Sequence, residues 1–215
     1  MRYGVLGTGD VARTIADKLI ELGYAVMLGS RTTNNPQAVE WVKHHGKQAA
    51  HGTFADAARF GERVFNCVRG IHSAEVLVSA GKNNLAGKIL IDLTNPYHYD
   101  GKHILLDPHW SGHTSLGETN QALLPETKVV KTLNYLCHHL MTNPHMLSGV
   151  ITGFYCGNDA EAKRAVASLL EDFGWTDTLD LGDISMSRYT EMLGAFWPAG
   201  LNAIGNMEWG FRLVR

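Results

Sequence analysis

Cysteine is scarce here: Cys67, Cys137 and Cys156 stand far apart among 215 residues. Three thiols cannot all pair within one chain, and they form no paired metal-binding motif, which argues against a disulfide-stapled scaffold. An excess of one charge is also missing. Nineteen Lys and Arg face 21 Asp and Glu, a formal charge of -2, so no global basic field draws the chain to nucleic acid or to an anionic membrane. No uninterrupted apolar run is long enough to span a bilayer, and no long apolar segment precedes a cleavage-like site near Met1, so a cytoplasmic setting is expected. Tandem repeats and low-complexity tails are absent as well. What remains is the balance of a soluble globular chain, 45% hydrophobic and 19% charged. Its length suffices for one sizeable core, or for a main domain with a smaller appendage. The 11 histidines are a source of pH-sensitive charge.

Along the chain, strand-like and helix-like stretches alternate. Residues 3–6 read as a buried strand, Gly7-Thr8-Gly9 as a turn, and 10–21 as a helix carrying Val11, Ile15, Leu19 and Leu22 on one face. Gly23 stops that helix and 25–28 form a second strand, completing a beta-alpha-beta unit. A helix follows from Pro36 to about residue 44, since proline is tolerated in a first turn. Thr53 is placed to cap a short helix at 54–58. Strands are expected at 64–68 and 89–93 with a helix over 73–81 between them, and Pro96 prevents continuation of the second. Residues 97–114 read as a tract rich in histidine, aromatics and glycine, with an extended excursion at 104–106. A helix at 118–123 and a strand at 128–133 continue the alternation. Beyond 138–146 come a strand at 150–156, a helix at 159–173 directing Ala162, Val166, Leu169 and Leu170 inward, and an edge strand at 178–180. Terminal helices begin at Ser187, with Pro198 permitting a kink. The implied fold is α/β and Rossmann-like: a mostly parallel, helix-covered sheet with right-handed crossovers and an additional C-terminal strand and helices.

The residues between the first strand and the first helix carry chemistry. Gly7-Thr8-Gly9-Asp10-Val11-Ala12 is a GxGxxA turn. Gly7 permits the bend, Gly9 lets a phosphate approach, and Ala12 allows close helix packing. Backbone donors at the helix start can receive a pyrophosphate. At the end of the second strand, where an acidic residue often serves the ribose hydroxyls, the chain reads Gly29-Ser30-Arg31-Thr32. A hydroxyl and a guanidinium suit an adenosine 2'-phosphate, which a carboxylate would repel, so NADP(H) is the expected cofactor. Residues 1–150 are then the NADP-binding region, and 151–215 a C-terminal extension completing the same compact domain.

Together, Gly7-Thr8-Gly9, Gly29-Ser30-Arg31, Asp92-Leu93-Thr94-Asn95-Pro96, Val130-Lys131-Thr132-Leu133-Asn134 and the Arg188-Tyr189-Thr190-Glu191 region resemble the family of NADPH-dependent coenzyme F420 reductases and related NADP oxidoreductases. Leu201-Asn202-Ala203-Ile204 and Asn206 resemble its closing helix, so the likeness covers the whole chain. It implies hydride transfer between NADPH and F420 or another flavin-like acceptor, in a shallow cleft where nicotinamide faces a deazaflavin, and a homodimer. Arg69-Gly70-Ile71-His72 departs from the more apolar or proline-containing turn of related chains, which leaves the second substrate open.

Direct hydride transfer needs close, oriented rings more than a nucleophile, and no catalytic residue is assigned. Val68 and Arg69 are expected to frame the nicotinamide side, Asn95 and Pro96 the opposite wall, and Thr132 and Asn134 a third part of the rim. Each also has a structural reading: Arg69 as a surface cation, Asn95 as a turn cap, Thr132 and Asn134 as partners of local backbone. Trp110, flanked by His109 and His113, is a candidate stacking platform or part of a surface loop. Reduction of a small imine or carbonyl compound is the alternative activity. It would require a proton donor, with Tyr97, His98, His109 and Lys131 as candidates. A non-catalytic NADP-binding regulatory protein is a further alternative. His138-His139 lacks an evident third ligand, so no metal site is expected. The apolar series Leu193, Phe196, Trp197, Leu201, Ile204, Met207 and Phe211 reads either as core or as a dimer face.

Overall fold

The computed structural model describes residues 1–110 and 112–215. The chain begins β1 (Arg2–Leu6), α1 (Asp10–Glu21), β2 (Ala25–Ser30), α2 (Pro36–His45), β3 (Ala49–Thr53), α3 (Phe54–Phe60) and β4 (Arg63–Asn66). It continues with α4 (Ser73–Ala80), α5 (Lys82–Leu85), β5 (Ile89–Asp92), β6 (Tyr97–Tyr99), β7 (Ile104–Leu106), α6 (Leu116–Leu123) and β8 (Lys128–Thr132). Then come α7 (His138–Thr142), β9 (Gly153–Gly157), α8 (Ala160–Asp172), β10 (Thr178–Asp180) and α9 (Ser187–Ile204).

Among the described residues, eight strands form one sheet in the order β10-β9-β8-β5-β4-β1-β2-β3. The six from β3 to β8 are parallel. β9 pairs antiparallel with β8, and β10 runs parallel to β9. This is the Rossmann-like architecture, with helices on both faces of the sheet. On one face Tyr3, Val5, Phe65, Ile91 and Val130 pack with α1 and α8. On the other, Leu6, Val64, Leu90 and Val129 pack with α3, α4 and α5. Side chains alternate across the sheet, so this second face ends its apolar row at Val64, Leu90 and Val129. Two residues later it carries Asn66, Asp92 and Lys131, which stand side by side in register.

Local physics explains the element ends. Asn35 caps α2 by accepting from the Gln37 and Ala38 amides, with Pro36 in the first turn. Thr53 and Asp56 form a reciprocal capping box at α3. That helix lies so close to the sheet that a Cβ on Gly4 would fall 2.2 Å from the Ala57 carbonyl oxygen.

Several elements differ from the sequence reading. The strand expected at 64–68 ends at Asn66, and Cys67 and Val68 leave the sheet as a turn. β3, reading Ala-Ala-His-Gly-Thr, has no apolar alternation and is a strand because β2 supplies its pairing. β6 is likewise made by its antiparallel partner β7. The buried face of α1 is Ala12, Ile15, Ala16 and Leu19, with Val11 and Leu22 only partly covered. α8 buries Ala162, Val166, Leu169 and Leu170. α9 is one continuous helix through Pro198. No helix among the described residues is long and apolar enough to cross a membrane.

Candidate functional site

β1 lies between β2 and β4, so successive crossovers leave it on opposite sides and open a crevice beyond the strand ends. Gly7 occupies that point with φ +130. Its amide donates to the Gly29 carbonyl at 2.9 Å, and a Cβ there would stand 3.2 Å from the Cys67 carbonyl oxygen and 3.4 Å from the Ala12 Cβ. Gly9 is different: a Cβ would meet no heavy atom within 4 Å, and no side chain caps the start of α1. The glycine that permits the turn is enclosed, and the one facing outward is open, as an anion seated on first-turn amides requires. Thr8 Oγ1 donates to Gln37 Oε1 at 3.3 Å, and Asp10 pairs with Arg13 at 2.5 Å.

At the end of β2 the two polar residues divide their roles. Ser30 is buried and donates its hydroxyl to the Thr32 carbonyl at 2.5 Å, folding the loop. Arg31 is exposed and makes no ion pair or hydrogen bond among the described residues. A guanidinium held beside the crevice without a carboxylate partner remains available to an anion.

On the other side of the α1 start lies a cavity of about 320 Å³. Val11 from α1, Val68 and Arg69 after β4, Asn95 after β5, and Tyr97 and His98 from β6 line it. The turns after β4 and β5 touch backbone to backbone, since a Cβ on Gly70 would fall 2.1 Å from the Asn95 carbonyl oxygen. Asn95 and Asn134 are reciprocally bonded. Asn95 Nδ2 donates to the Asn134 carbonyl at 2.5 Å, and Asn134 Nδ2 donates to Asn95 Oδ1 at 2.8 Å and to the Thr190 carbonyl at 3.0 Å. Leu133 makes this possible. It is the sole non-glycine residue of positive φ (+58) among those described, a conformation costing about 1–2 kcal/mol for an L-residue.

The other residues singled out from the sequence lie elsewhere. Pro96 is buried, and its carbonyl accepts from the Asp107 amide at 2.7 Å. Thr132 is fully buried and donates to the Phe154 carbonyl at 2.8 Å, so it supports the rim from behind. Trp110 does not line the cavity; its indole N–H donates to Thr119 Oγ1 at 3.0 Å, with His109 edge-on. Ser111, in the same loop, lies outside the described residues.

At the ends of β5 and β8 lies a buried ionic cluster that sequence spacing alone does not assemble. Lys131 is 0% exposed. Its Nζ lies 3.1 Å from Asp92 Oδ2 and 3.0 Å from Glu191 Oε1, and donates to the Thr94 carbonyl at 2.5 Å. Asp92 also accepts from Asn66, Asn120 and Thr94. Glu191 accepts from the amides of Leu116 and Gly117 at 3.0 Å each, bonding α9 to the first turn of α6. Burial opposes the ammonium, yet the two carboxylates hold the Lys131 pKa above the ordinary lysine value. Burial pushes Glu191 up, against the pull of Lys131 and the two amides. The signal was present in the sequence: Asp92, Lys131 and Glu191 fall in three of its distinctive motifs. What joins them is strand register and the return of α9.

Among the described residues no group of three histidine, cysteine or acidic side chains is placed to share a metal ion. Burial pushes the Cys67 thiol far above its ordinary pKa, so it is not a ready nucleophile.

A parallel sheet with an open glycine turn at its crossover point, a free arginine after β2 and a cavity that reaches Val11 of α1 defines a Rossmann-type dinucleotide fold. Residues 2–96 match the family model of coenzyme F420-dependent NADP oxidoreductases. A crystal structure from Arthrobacter sp. FB24, of a protein provisionally named an F420-dependent NADP-reductase, is 40% identical with a TM-score of 0.94, and all of both chains is covered. The F420-dependent NADP reductase of Methanocaldococcus jannaschii is 28% identical over 207 residues, 90% of this chain and 89% of that one. Metalloreductase STEAP3 of Rattus norvegicus is 30% identical over 194 residues, 89% of this chain and 36% of its own. The chain spans about a third of the length of the metalloreductases it matches. It belongs to the family of coenzyme F420-dependent NADP oxidoreductases.

Proposed function

We propose that this chain is an NADP-dependent oxidoreductase that moves hydride between NADPH and F420 or another flavin-like acceptor at the ends of the parallel strands. The observation that carries the reading is the pairing of an open phosphate turn with a lined cavity across one residue, Val11, which follows Gly9-Asp10 and also forms a cavity wall. NADPH supplies the hydride. In this reading the turn of Gly7, Thr8, Gly9 and Asp10 holds its pyrophosphate, and Arg31, with Ser30 and Thr32 shaping the loop, holds its 2'-phosphate. Val11, Val68, Arg69 and Asn95 enclose the nicotinamide end. Asn134 orients Asn95, and Pro96 and Thr132 brace the walls. A largely apolar cavity wall favours the close ring contact that direct transfer demands.

A homodimer, a cytoplasmic setting and one compact domain that includes residues 151–215 belong to the same reading. β9 and β10 extend the one sheet. Tyr189, Met192 and Phe196 of α9 and Ile104 and Leu105 of β7 are exposed apolar side chains on two elements in contact. A second copy would cover them beside the cavity. The three cysteines are free thiols, in keeping with a reducing compartment.

The test is anaerobic single-turnover absorbance with enzyme and NADPH against F420, FMN, FAD and riboflavin in separate reactions, each with an enzyme-free control. Rapid reduction of F420 with slow reduction of the others is expected. Failure with every acceptor despite confirmed NADPH binding would overturn the reading.

A further inference from the structure

We infer that Tyr97 is the hydrogen-bond donor that stabilises the acceptor as it takes up hydride, and that Gly194 on α9 is the socket that aims it. The inference rests on the proposed hydride-transfer reading of the same cavity. Hydride leaves the dihydronicotinamide ring of NADPH, whose C–H bond breaks to give NADP+, and forms a C–H bond at a ring carbon of F420 or an N–H bond at a ring nitrogen of a flavin. The displaced electron pair collects on the ring nitrogen and carbonyl oxygen, and a proton from solvent completes the reduction. A donor at the ring edge stabilises that charge while it develops.

The structure sorts the proton-bearing side chains. Lys131 is wholly enclosed and bonded to Asp92, Glu191 and Thr94. His109 packs edge-on to Trp110 and lies outside the cavity wall. His98 is also in the wall, with its Nδ1 enclosed and without a hydrogen-bond partner among the described residues. Tyr97 is in the wall with its hydroxyl unengaged, making no hydrogen bond among the described residues. That hydroxyl sits 2.2 Å from the point a Cβ on Gly194 would occupy, and Asn95 Oδ1 and the Asn134 carbonyl lie 3.0 Å from the same point. Any other residue at 194 would evict it.

The socket is itself held in place. One turn earlier on α9, Glu191 is bonded to Lys131 and to the first turn of α6. Thr190 accepts from Asn134, which fixes Asn95. Burial and the nearby Glu191 carboxylate raise the phenol well above its ordinary pKa, so it stays protonated and acts by donating.

The experiment compares wild type, Tyr97→Phe and Gly194→Ala by two readouts: the absorbance shift of oxidised F420 on binding without NADPH, and the single-turnover rate with NADPH. Tyr97→Phe keeps the ring and removes one neutral hydrogen bond, so a fall on the order of tenfold in rate is expected, with a reduced spectral shift and unchanged NADPH affinity. Gly194→Ala is expected to reproduce both changes with the phenol still present. A Tyr97→Phe protein with wild-type rate and wild-type shift overturns the role of Tyr97 while leaving the hydride reading intact. Wild-type protein that neither binds nor reduces F420 or a flavin overturns both.

Discussion

Replacing Lys131 with methionine is expected to destabilise the fold by about 3–5 kcal/mol, because it leaves two buried carboxylates facing one another without their cation. Lys131, Asp92 and Glu191 are each 0% exposed, so water cannot take over the lost partner. Methionine is similar in length and flexible, which keeps the packing loss small and isolates the charge effect. The cluster joins β5, β8, α9 and the start of α6, so its loss should weaken the fold as a unit. Denaturant unfolding with an unchanged slope and a lowered midpoint would report the effect. Adding Asp92→Asn and Glu191→Gln to Lys131→Met should recover part of it, since no uncompensated charge then remains. A single variant that unfolds at the wild-type midpoint would show that the cluster does not hold the fold together.

Replacing Arg31 with alanine should weaken NADP binding while leaving NAD binding nearly unchanged. The charge-assisted bonds a guanidinium makes to a phosphate are worth about 1.5–3 kcal/mol, or on the order of 10–100-fold in affinity. The full effect should fall on this residue. Ser30 already donates its hydroxyl to the Thr32 carbonyl, whereas Arg31 has no competing carboxylate. Titration of both nucleotides into wild type and Arg31→Ala measures the ratio directly. An unchanged preference for NADP would move the specificity elsewhere, with Thr32, Thr33 and His51, whose Nδ1 lies 2.9 Å from the Thr33 carbonyl oxygen, as the neighbouring polar groups.

Much of the sheet could be read in the chain because its local signals agree with one another. Val11 to Leu22 has helical spacing, Thr53 precedes its capping partner Asp56 by three residues, and the apolar runs at 64 and 89 become central strands. The glycine turn was legible because backbone conformation selects Gly7 and close helix packing selects Ala12, while Gly9 leaves the start of the helix open. β3 and β6 were not, since their sequences carry no strand period and partner strands impose their conformation. The site's second half was hidden for a similar reason. Asn95 and Asn134 are 39 residues apart, and what brings them together is a left-handed Leu133 that no sequence rule signals. Asp92, Lys131 and Glu191 were visible as motif members, but only β5–β8 register and the returning α9 make them one cluster. Trp110 has the chemistry of a stacking platform, but it stands outside the cavity lining with its indole N–H bonded to Thr119, a placement that only the fold reveals.

Direct transfer of hydride from NADPH to the acceptor inside the cavity would leave an isotopic record. The most direct measurement uses NADPH carrying deuterium at both C4 positions, reacted with F420 in ordinary water, with the reduced product examined by mass spectrometry. One deuterium is expected on the acceptor ring carbon, delivered without exchange. Product that carries only solvent hydrogen there would contradict direct transfer and the placement of both rings in this cavity.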